Sequence, residues 1–396
     1  MVDTSPTEPG ATADKAAAPL LRHRLHAGSI AAAAHHLHRH ARSFDSARFT
    51  RLAGDGLEDL ELKARAMQIA AALDATLPAD FDAACDIVAR ALAPAVSPDA
   101  SSSGDSSSAG LAGWIVWPLG DWVARRVAAD ASNLDRGLQA LHALTQRFTA
   151  EFAIRPLLRD HQAAVFATLQ RWCDDPNEHV RRLCSEGSRP RLPWGLRLQA
   201  LVRDPSPSLP LLDRLQDDPS AYVRRSVANH LNDIAKDHPA LLADWLERHL
   251  PQAGGERRAL LRHASRTLIK SADVRVLAAW GQGQALLGDA TLAISPARIT
   301  LGGAVQLSAT LCSTAAVSQT VLVDYLVHHV KADGRSSAKV FKGWQRELGA
   351  GQTLQLQRSH ALKPITTRRY YPGVHKVELQ VNGAVVAETS FELLAG

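Results

Sequence analysis

The spacing of apolar residues changes once along the chain, from a helical pattern to an alternating one. In residues 21–96 and from about 111 to 280, apolar side chains recur every three or four positions, as in LEDLELKARAMQIAAAL, which predicts amphipathic helices. Beyond about residue 285, short runs alternate between apolar and polar side chains, which predicts β-strands. We therefore predict a mainly α-helical domain over residues 21–280, followed by a β domain over residues 285–396.

The β domain is predicted from five runs and from the turns between them. The runs are ARITL, AVQLSATL, TVLVDYLVHHV, HKVELQV and VVAETSFEL, and the turns include VNGA and KADGRSS. Glycine and asparagine in these turns permit the backbone conformations that tight hairpins need. The length and the strand count are typical of a small immunoglobulin-like sandwich.

Two segments are predicted to lie outside the packed cores. Residues 1–20 predict a disordered tail, and they lack the basic and then apolar order of a secretory signal peptide. Residues 97–110, SPDASSSGDSSSAG, predict a Ser-rich linker or loop within the helical domain. We assign neither segment a catalytic role.

The helical domain contains an internal repeat. DDPNEHVRRL begins at Asp174 and DDPSAYVRRS begins at Asp217, 43 residues later, a period typical of HEAT and armadillo units. In each copy we expect the second aspartate, Asp175 or Asp218, to cap a helix whose first residue is the following proline. Stacked helix pairs of this kind predict an α-solenoid.

Composition favours an intracellular protein with an anionic partner. The formal net charge is +5 and the isoelectric point is about 9.2, which favours a partner such as nucleic acid. The four cysteines lack CxxC spacing, so we expect reduced thiols rather than disulfides or a zinc site. No apolar run is long enough to span a membrane, and we expect a cytoplasmic monomer.

A histidine-rich segment, HRLHAGSIAAAAHHLHRH, raises the question of a metal site, because His36 and His40 lie one helical turn apart. No carboxylate or cysteine completes a ligand set, so we favour a basic helix face. The spacing of the other polar residues fits no Ser/His/Asp or Cys/His nucleophile. We expect neither a metal nor a cofactor.

Three acidic residues lie where a helical solenoid does not require them. We expect Glu151 near the end of the helix LDRGLQALHALTQRFTAEF, on its apolar side, and Glu186 in the last turn of the first repeat helix. Asp233 falls in the last turn of the second repeat helix. An acid at a helix C-terminus opposes the helix dipole, at a cost of roughly 0.3–1 kcal/mol. Either these acids are solvated or paired with Arg182 or Arg225, or they form a functional site.

The motif EGSRPRLPW, which starts at Glu186, interrupts the repeat. Its glycine and its prolines are expected to end the helix and to present Trp194 beside that acid. A buried structural tryptophan is the alternative. Two arginines of the motif, Arg189 and Arg191, favour a site that meets phosphate.

The helical segments resemble AlkC-type DNA glycosylases, which belong to the HEAT-like-repeat superfamily of alkylation repair enzymes. The resemblance rests on TQRFTAEFAIRPLL, DDPNEHVRRLCSEGSRPRLPW, DDPSAYVRRSVANHLNDIAKDHP and RHASRTLIK. It covers residues 111–280 strongly and residues 21–96 loosely, and the β domain resembles the immunoglobulin-like domain that many members carry. It implies a monofunctional glycosylase that excises N3-methylated bases, especially 3-methyladenine and 3-methylcytosine, from duplex DNA while the base remains stacked.

The resemblance also implies the site residues: the catalytic carboxylates and tryptophan are Glu151, Glu186, Asp233 and Trp194. N3-alkylation makes the base a cationic leaving group, so acids that stabilise an oxocarbenium-like sugar and orient water suffice for cleavage. Because such acids repel phosphate, cations must surround them. The candidate DNA-binding cations are Arg181, Arg182, Arg189, Arg191, Arg266, Lys270, Arg335, Lys339 and Lys342.

Three alternatives stay open on the sequence. A non-catalytic HEAT-repeat scaffold that binds DNA or protein would show salt-sensitive binding without base release. A glycosylase that prefers N7-alkylated or bulky bases is a closer alternative, and a panel of substrates separates it. The lysines and the arginine of the KADGRSSAKVFKG hairpin could also be ordinary solvated side chains.

Overall fold

Sixteen α-helices and then eight β-strands follow one another in the described part of the chain. The structure is a computed structural model and describes residues 21–95, 109–282, 284–364 and 369–394. The predicted tail, residues 1–20, and nearly all of the predicted Ser-rich linker lie outside these residues. The observed order confirms the predicted fold class, an α-helical repeat region followed by a β-sandwich.

The first of two structural units contains the described residues up to Ser188 together with the segment Trp194–Leu196. Aspartates begin two of its helices, since Asp45 and Asp80 accept hydrogen bonds from the N–H groups three residues later. The helices are α1 (Ala27–His40), α2 (Ser46–Gly54), α3 (Leu62–Thr76), α4 (Phe81–Ala91), α5 (Val116–Ala129), α6 (Leu134–Thr145), α7 (Ile154–Asp160), α8 (Gln162–Trp172) and α9 (Glu178–Gly187).

The second unit contains Arg189–Pro193 and the chain from Arg197 onward, and it combines helices with all of the strands. Its helices are α10 (Gln199–Arg203), α11 (Leu209–Leu215), α12 (Ala221–Ile234), α13 (Pro239–His249), α14 (Gly255–Ala264), α15 (Arg266–Lys270) and α16 (Val274–Ala279). Its strands are β1 (Gly288–Ser295), β2 (Arg298–Ile299), β3 (Ala304–Ser313), β4 (Gln319–Val330), β5 (Ser336–Leu348), β6 (Thr353–Ala361), β7 (Gly373–Val381) and β8 (Ala384–Leu393). In the described residues, no helix has the length and apolarity needed to cross a bilayer.

Both repeat copies start their helix two residues later than predicted. The N-cap residues are Asn177 for α9 and Ser220 for α12. The aspartates predicted as caps, Asp175 and Asp218, instead accept hydrogen bonds at 2.8 Å from the N–H groups of those N-cap residues. An aspartate that bonds to the backbone two residues later forms a turn, and the proline between them belongs to that turn and not to the helix.

An arginine reinforces this turn in both copies. Arg181 and Arg224, which are 43 residues apart, each donate from Nη1 to both carbonyls of the preceding Asp-Pro pair. The sequence repeat is therefore also a repeat of side-chain hydrogen bonds.

The sandwich consists of two sheets with the strand orders β1-β3-β6 and β2-β8-β7-β4-β5. The predicted turn KADGRSS joins β4 to β5, and VNGA joins β7 to β8 with Asn382 and Gly383 at positive φ. Strands β1, β5 and β6 are missing from the five predicted runs, and all three lie at sheet edges. β5 and β6 bury few of their side chains, so their apolar alternation is weak, whereas β1 alternates along its whole length and carries a sequence signal that the prediction missed.

A group of buried histidines lies in the core of the sandwich. His329, His360 and His375 are each at most 6% exposed, and the rings of His329 and His375 lie 5.6 Å apart between centroids. His375 stacks on Phe391, and its Nε2 lies 3.1 Å from the carbonyl oxygen of Tyr371. Burial lowers the pKa of His375, although the hydrogen bond to Tyr371 acts in the opposite direction.

We predict that protonation of His375 destabilises the sandwich in acid. Its pKa is lower in the folded than in the unfolded protein, so its contribution to stability is complete above the unfolded pKa of about 6.5 and is lost as the pH falls below it. Urea unfolding of the wild type and of His375→Leu at pH 7.5 and pH 5.5 measures this contribution. The variant should lose less stability between the two pH values than the wild type.

His40→Leu is the matched control, because His40 is exposed at the end of α1. This variant should retain the pH dependence of the wild type. An identical pH dependence in the wild type and in His375→Leu would contradict the prediction.

Candidate active site

Glu151 lies in a turn and not on a helix as predicted. α6 ends at Thr145, and α7 begins only at Ile154. In the segment that connects these helices, two threonine hydroxyls accept hydrogen bonds from backbone N–H groups. Thr145 Oγ1 accepts from Ala150 at 3.5 Å, and Thr149 Oγ1 accepts from Glu151 at 3.3 Å. Hydroxyl acceptors of this kind compete with helical hydrogen bonds, so the apolar spacing overestimates the length of the helix.

Glu151 and Glu186 share one arginine. Nη1 of Arg182 lies 2.9 Å from Oε2 of Glu151, and Nη2 lies 3.7 Å from Oε1 of Glu186. Thr149 donates its hydroxyl to Glu151 Oε2 at 2.8 Å and accepts from Arg182 at 3.2 Å. Both acids are less than a tenth exposed. Of the two structural alternatives, they are therefore paired with Arg182 and not solvated. Thr149 was not among the predicted site residues.

Glu186 lies in the last turn of α9, where the sequence predicts it. Gly187, in contrast, is the final residue of this helix and not a stop beyond it. A Cβ at this position would lie 2.6 Å from Cγ2 of Ile154. Close packing of α9 against α7 therefore accounts for the glycine next to the acid.

A buried arginine of α7 fixes the turn that carries Trp194. Nη1 of Arg155 donates to the carbonyl of Gly187 at 2.8 Å, and Nε donates to the carbonyl of Leu196 at 2.5 Å. The Arg155 side chain is completely buried. Sequence reasoning missed this residue, and its only signal is a charged position inside the apolar run FAIRPLL.

Trp194 is presented at the surface rather than buried. It has a positive φ of 62°, which is uncommon for a residue other than glycine, and it is 68% exposed. With Trp117 and Leu62 it lines a mainly apolar cavity of about 680 Å³. The strained backbone and the exposed indole are typical of functional sites and argue against the structural alternative.

Asp121 of α5 interacts with two residues that line this cavity and was not among the predicted site residues. Burial raises its pKa to about 6, while Lys63, a hydrogen bond with Trp117 and Arg125 act in the opposite direction. Lys63 and Trp117 also line the cavity. The only sequence signal is an acid within the apolar segment VWPLGDWVA.

Asp233 is the most deeply buried of the three predicted acids, with 1% of its surface exposed. It lies in the last turn of α12, as predicted. Nε and Nη2 of Arg189 lie 2.8 and 2.7 Å from its Oδ2, and Nζ of Lys236 lies 2.8 Å from its Oδ1. Two cations thus offset both the burial of the acid and its unfavourable position at the helix C-terminus.

The second arginine of the motif also pairs with an acid. Nε and Nη2 of Arg191 each lie 2.6 Å from one oxygen of Asp237. The hydrogen bonds from Arg191 lower the pKa of Asp237. Arg189 and Arg191, predicted to meet phosphate, thus both contact carboxylates within the second unit.

The remaining predicted cations differ in what they contact. Arg181 bonds to its own backbone turn, and Lys270 is exposed at the end of α15. Arg266 donates to the carbonyl of His263 at 2.7 Å. On the β4–β5 hairpin, three cations have three different neighbours: Arg335 pairs with Asp333, Lys339 lies over the ring of Phe341, and Lys342 pairs with Asp324.

The histidine-rich helix places its two candidate ligands in different environments. His36 is buried, and His40 is exposed. His36 therefore does not belong to a basic solvent-facing surface, contrary to the sequence interpretation. Across the described residues, no group of three or more His, Cys, Asp or Glu side chains could hold a metal ion.

The chemistry that these groups offer is electrostatic. A carboxylate fixed by arginine in a water-poor environment needs little reorganisation when positive charge develops beside it. The same oxygen can accept a hydrogen bond from a water molecule and orient it for attack. Such groups suit a reaction whose transition state is a cation.

Two family models match the chain. Residues 145–268 match the family described as "DNA alkylation repair enzyme". Residues 289–395 match the family described as "Uncharacterised protein YhaZ, C-terminal Ig-like domain". The first match contains the predicted acids and Trp194, and the second coincides with the sandwich.

Two similar proteins align with most of the chain. The uncharacterized protein YhaZ of Bacillus subtilis (strain 168) is 37% identical over 342 residues, which cover 85% of this chain and 88% of that protein. The solved structure of the Pseudomonas fluorescens alkylpurine DNA glycosylase AlkC, bound to DNA that contains an abasic site analog, has a TM-score of 0.79. It is 36% identical, and the alignment covers 95% of this chain and all of the AlkC chain.

We predict that Arg182→Gln destabilises the first unit by about 3–5 kcal/mol, because it leaves two buried carboxylates without their shared cation. Urea unfolding at pH 7.5 measures the change. Combining this substitution with Glu151→Gln should restore part of the lost stability.

Arg159→Gln serves as the matched control, since Arg159 pairs with Asp160 at the surface and its loss should cost less than about 1 kcal/mol. An equally small effect for Arg182→Gln would show that the buried pairing does not stabilise the unit.

Proposed function

Because this chain belongs to the AlkC-type family of DNA alkylation repair glycosylases that carry a C-terminal immunoglobulin-like domain, we propose that it releases cationic N3-alkylated bases from duplex DNA. The proposed substrates are 3-methyladenine and 3-methylcytosine, and the products are the free base and an abasic site. The similar Pseudomonas fluorescens protein is described as an alkylpurine DNA glycosylase, and its structure contains DNA with an abasic site analog.

The proposed reaction needs no proton delivered to the leaving base. Alkylation at N3 gives the base a formal positive charge, so it departs as a neutral molecule when the N-glycosidic bond breaks. The electron pair of that bond goes to the base, and C1′ of the deoxyribose acquires oxocarbenium character. Water then adds to C1′ and loses a proton, which completes the hydrolysis.

In this proposal, carboxylates stabilise the sugar cation. Asp233 is 1% exposed and held by Arg189 and Lys236, while Glu151 and Glu186 are held by Arg182. The observation that carries the proposal is this burial with arginine pairing, because it fixes negative charge where water is scarce. One of these acids would also orient the attacking water.

The arginines next to these acids, first expected to bind DNA, are proposed here to position the acids. Arg182 and Arg189 bind carboxylates directly, so they are proposed as positioning residues rather than as principal phosphate contacts. The proposed contacts to the DNA backbone come instead from exposed cations. These are Arg266, Lys270, Arg335 and Lys342, with Arg181 and Lys339 as further candidates.

We further propose that the alkylated base stays in the helical stack during cleavage. The exposed indole of Trp194, at a strained surface turn, is suited to contact the sugar and backbone of a bound duplex. A base that is not extruded need not fit a closed pocket, in contrast to most enzymes that act on bases.

We predict that Asp233→Asn, Glu186→Gln and Glu151→Gln each reduce the single-turnover rate of 3-methyladenine release. Removal of one well-placed charge should lower the rate on the order of 10²–10³-fold. If two acids stabilise the same transition state, the combined variant Glu186→Gln with Asp233→Asn should lose less than the product of the single losses. Release from methylated duplex DNA, measured by chromatography, gives each rate.

Asp244→Asn is the matched control, since Asp244 is an exposed acid paired with Arg275. It should release base at the wild-type rate. Equal release by all variants would remove the proposed roles of the acids. Salt-sensitive DNA binding by a wild type that releases no base would favour the scaffold alternative, and faster release of 7-methylguanine or bulky adducts would correct the substrate class.

A further inference from the structure

The second repeat copy differs from the first at the position of Glu186, the acid that pairs with Arg182. A shift of 43 residues places Arg225 at the register of Arg182 and Asn229 at the register of Glu186. The arginine is kept, while the acid is replaced by an amide. An amide accepts hydrogen bonds as a carboxylate does, but it neutralises no positive charge.

Asn229 is surrounded by basic side chains. Its Oδ1 accepts a hydrogen bond from Arg266 Nη2 at 3.1 Å and lies 3.0 Å from Nε2 of His263. Arg266 Nη1 also donates to the backbone carbonyl of His263 at 2.7 Å. The amide therefore holds Arg266 and His263 together without adding a negative charge.

Arg225, His263 and Arg266 line an open cleft of about 930 Å³ within the second unit, between α12, α14, α15 and strands β4 and β5. Two acids also line it, and each is paired: Glu256 lies 2.9 Å from Arg224, and Asp324 lies 3.3 Å from Lys342. The cations of the cleft that are not paired with these acids are therefore Arg225, Arg262 and Arg266.

The electrostatics of the cluster agree with this arrangement. Burial lowers the pKa of His263, and Arg266 and Arg225 lower it further. The pKa of Arg266 is also lowered, mainly by burial. Asp233 acts in the opposite direction, and Arg189 and Arg225 lower the pKa further. Positive charges thus repel one another here. Asp233 lies four residues after Asn229 on α12, one helical turn away, so the cluster lies next to this acid.

We propose that Arg225, Arg266 and Asn229 form a phosphodiester-binding site that holds the DNA backbone beside Asp233. The inference rests on the proposed function and deepens it, because it names positioning residues for the substrate. Two arginines, one of them held by a neutral acceptor, bind a phosphate through charge and directed N–H groups. A phosphate at this point brings the adjoining deoxyribose toward the acid that is proposed to stabilise its cation.

The test is the salt dependence of binding to a duplex with a stable abasic-site analogue. Arg225→Gln and Arg266→Gln should each weaken binding on the order of tenfold and reduce the slope of log Kd against log [NaCl] by about 1. Asn229→Asp should also weaken binding, since its carboxylate would neutralise Arg266 and repel phosphate. If Asn229 were only a structural acceptor, aspartate would serve as well, and binding would not change.

Arg275→Gln is the control for loss of one positive charge, because Arg275 pairs with Asp244 and Glu247 and does not line the cleft. It should keep the wild-type slope, and thermal unfolding checks that every variant folds. Wild-type slopes in both Arg225→Gln and Arg266→Gln would overturn the site. Base release by the wild type with unchanged slopes in those variants would overturn this inference while leaving the proposed function intact.

Discussion

A carboxylate can be buried in a protein only if a cation and hydrogen bonds compensate for the water that it loses. The predicted acids of both units satisfy this constraint. In the first unit, one guanidinium, that of Arg182, serves Glu151 and Glu186 together. In the second unit, Arg189 and Lys236 each form an ion pair with one carboxylate oxygen of Asp233. The positions of these acids are thus fixed by ion pairs, which is the condition for a site that acts through preorganised charge.

The motif EGSRPRLPW places a buried acid, two arginines that pair with acids, and an exposed tryptophan in one turn. It begins with an acid of the first unit and supplies Arg189 and Arg191, which pair with acids of the second. It ends on Trp194, whose exposed position follows from the hydrogen bonds of the buried Arg155 to both ends of the turn. A helix that continued through this segment could present neither the indole nor the arginines in these places.

The two repeat copies share a framework and differ in charge. The Asp-Pro turn and its arginine recur with the same hydrogen bonds, so the framework is a property of the repeat. The residue four positions after the second arginine differs: Glu186, paired with Arg182, in one copy, and Asn229, bonded to Arg266, in the other. A single change from carboxylate to amide separates a group that can stabilise a cation from one that leaves positive charge available to an anion.

The sequence by itself determined the family, the order of an α-helical repeat region and a β-sandwich, the helix turns that carry Glu186 and Asp233, and the hairpin turns. These follow from local spacing and from contiguous motifs, and the comparisons and the fold confirm the family and the fold class. Tertiary structure decided that Glu151 lies in a turn, that β5 and β6 form at sheet edges, and that Arg189 contacts Asp233, 44 residues away. The physical reason is that periodicity encodes which face of an element is buried, whereas the partner of a buried charge depends on packing between distant segments.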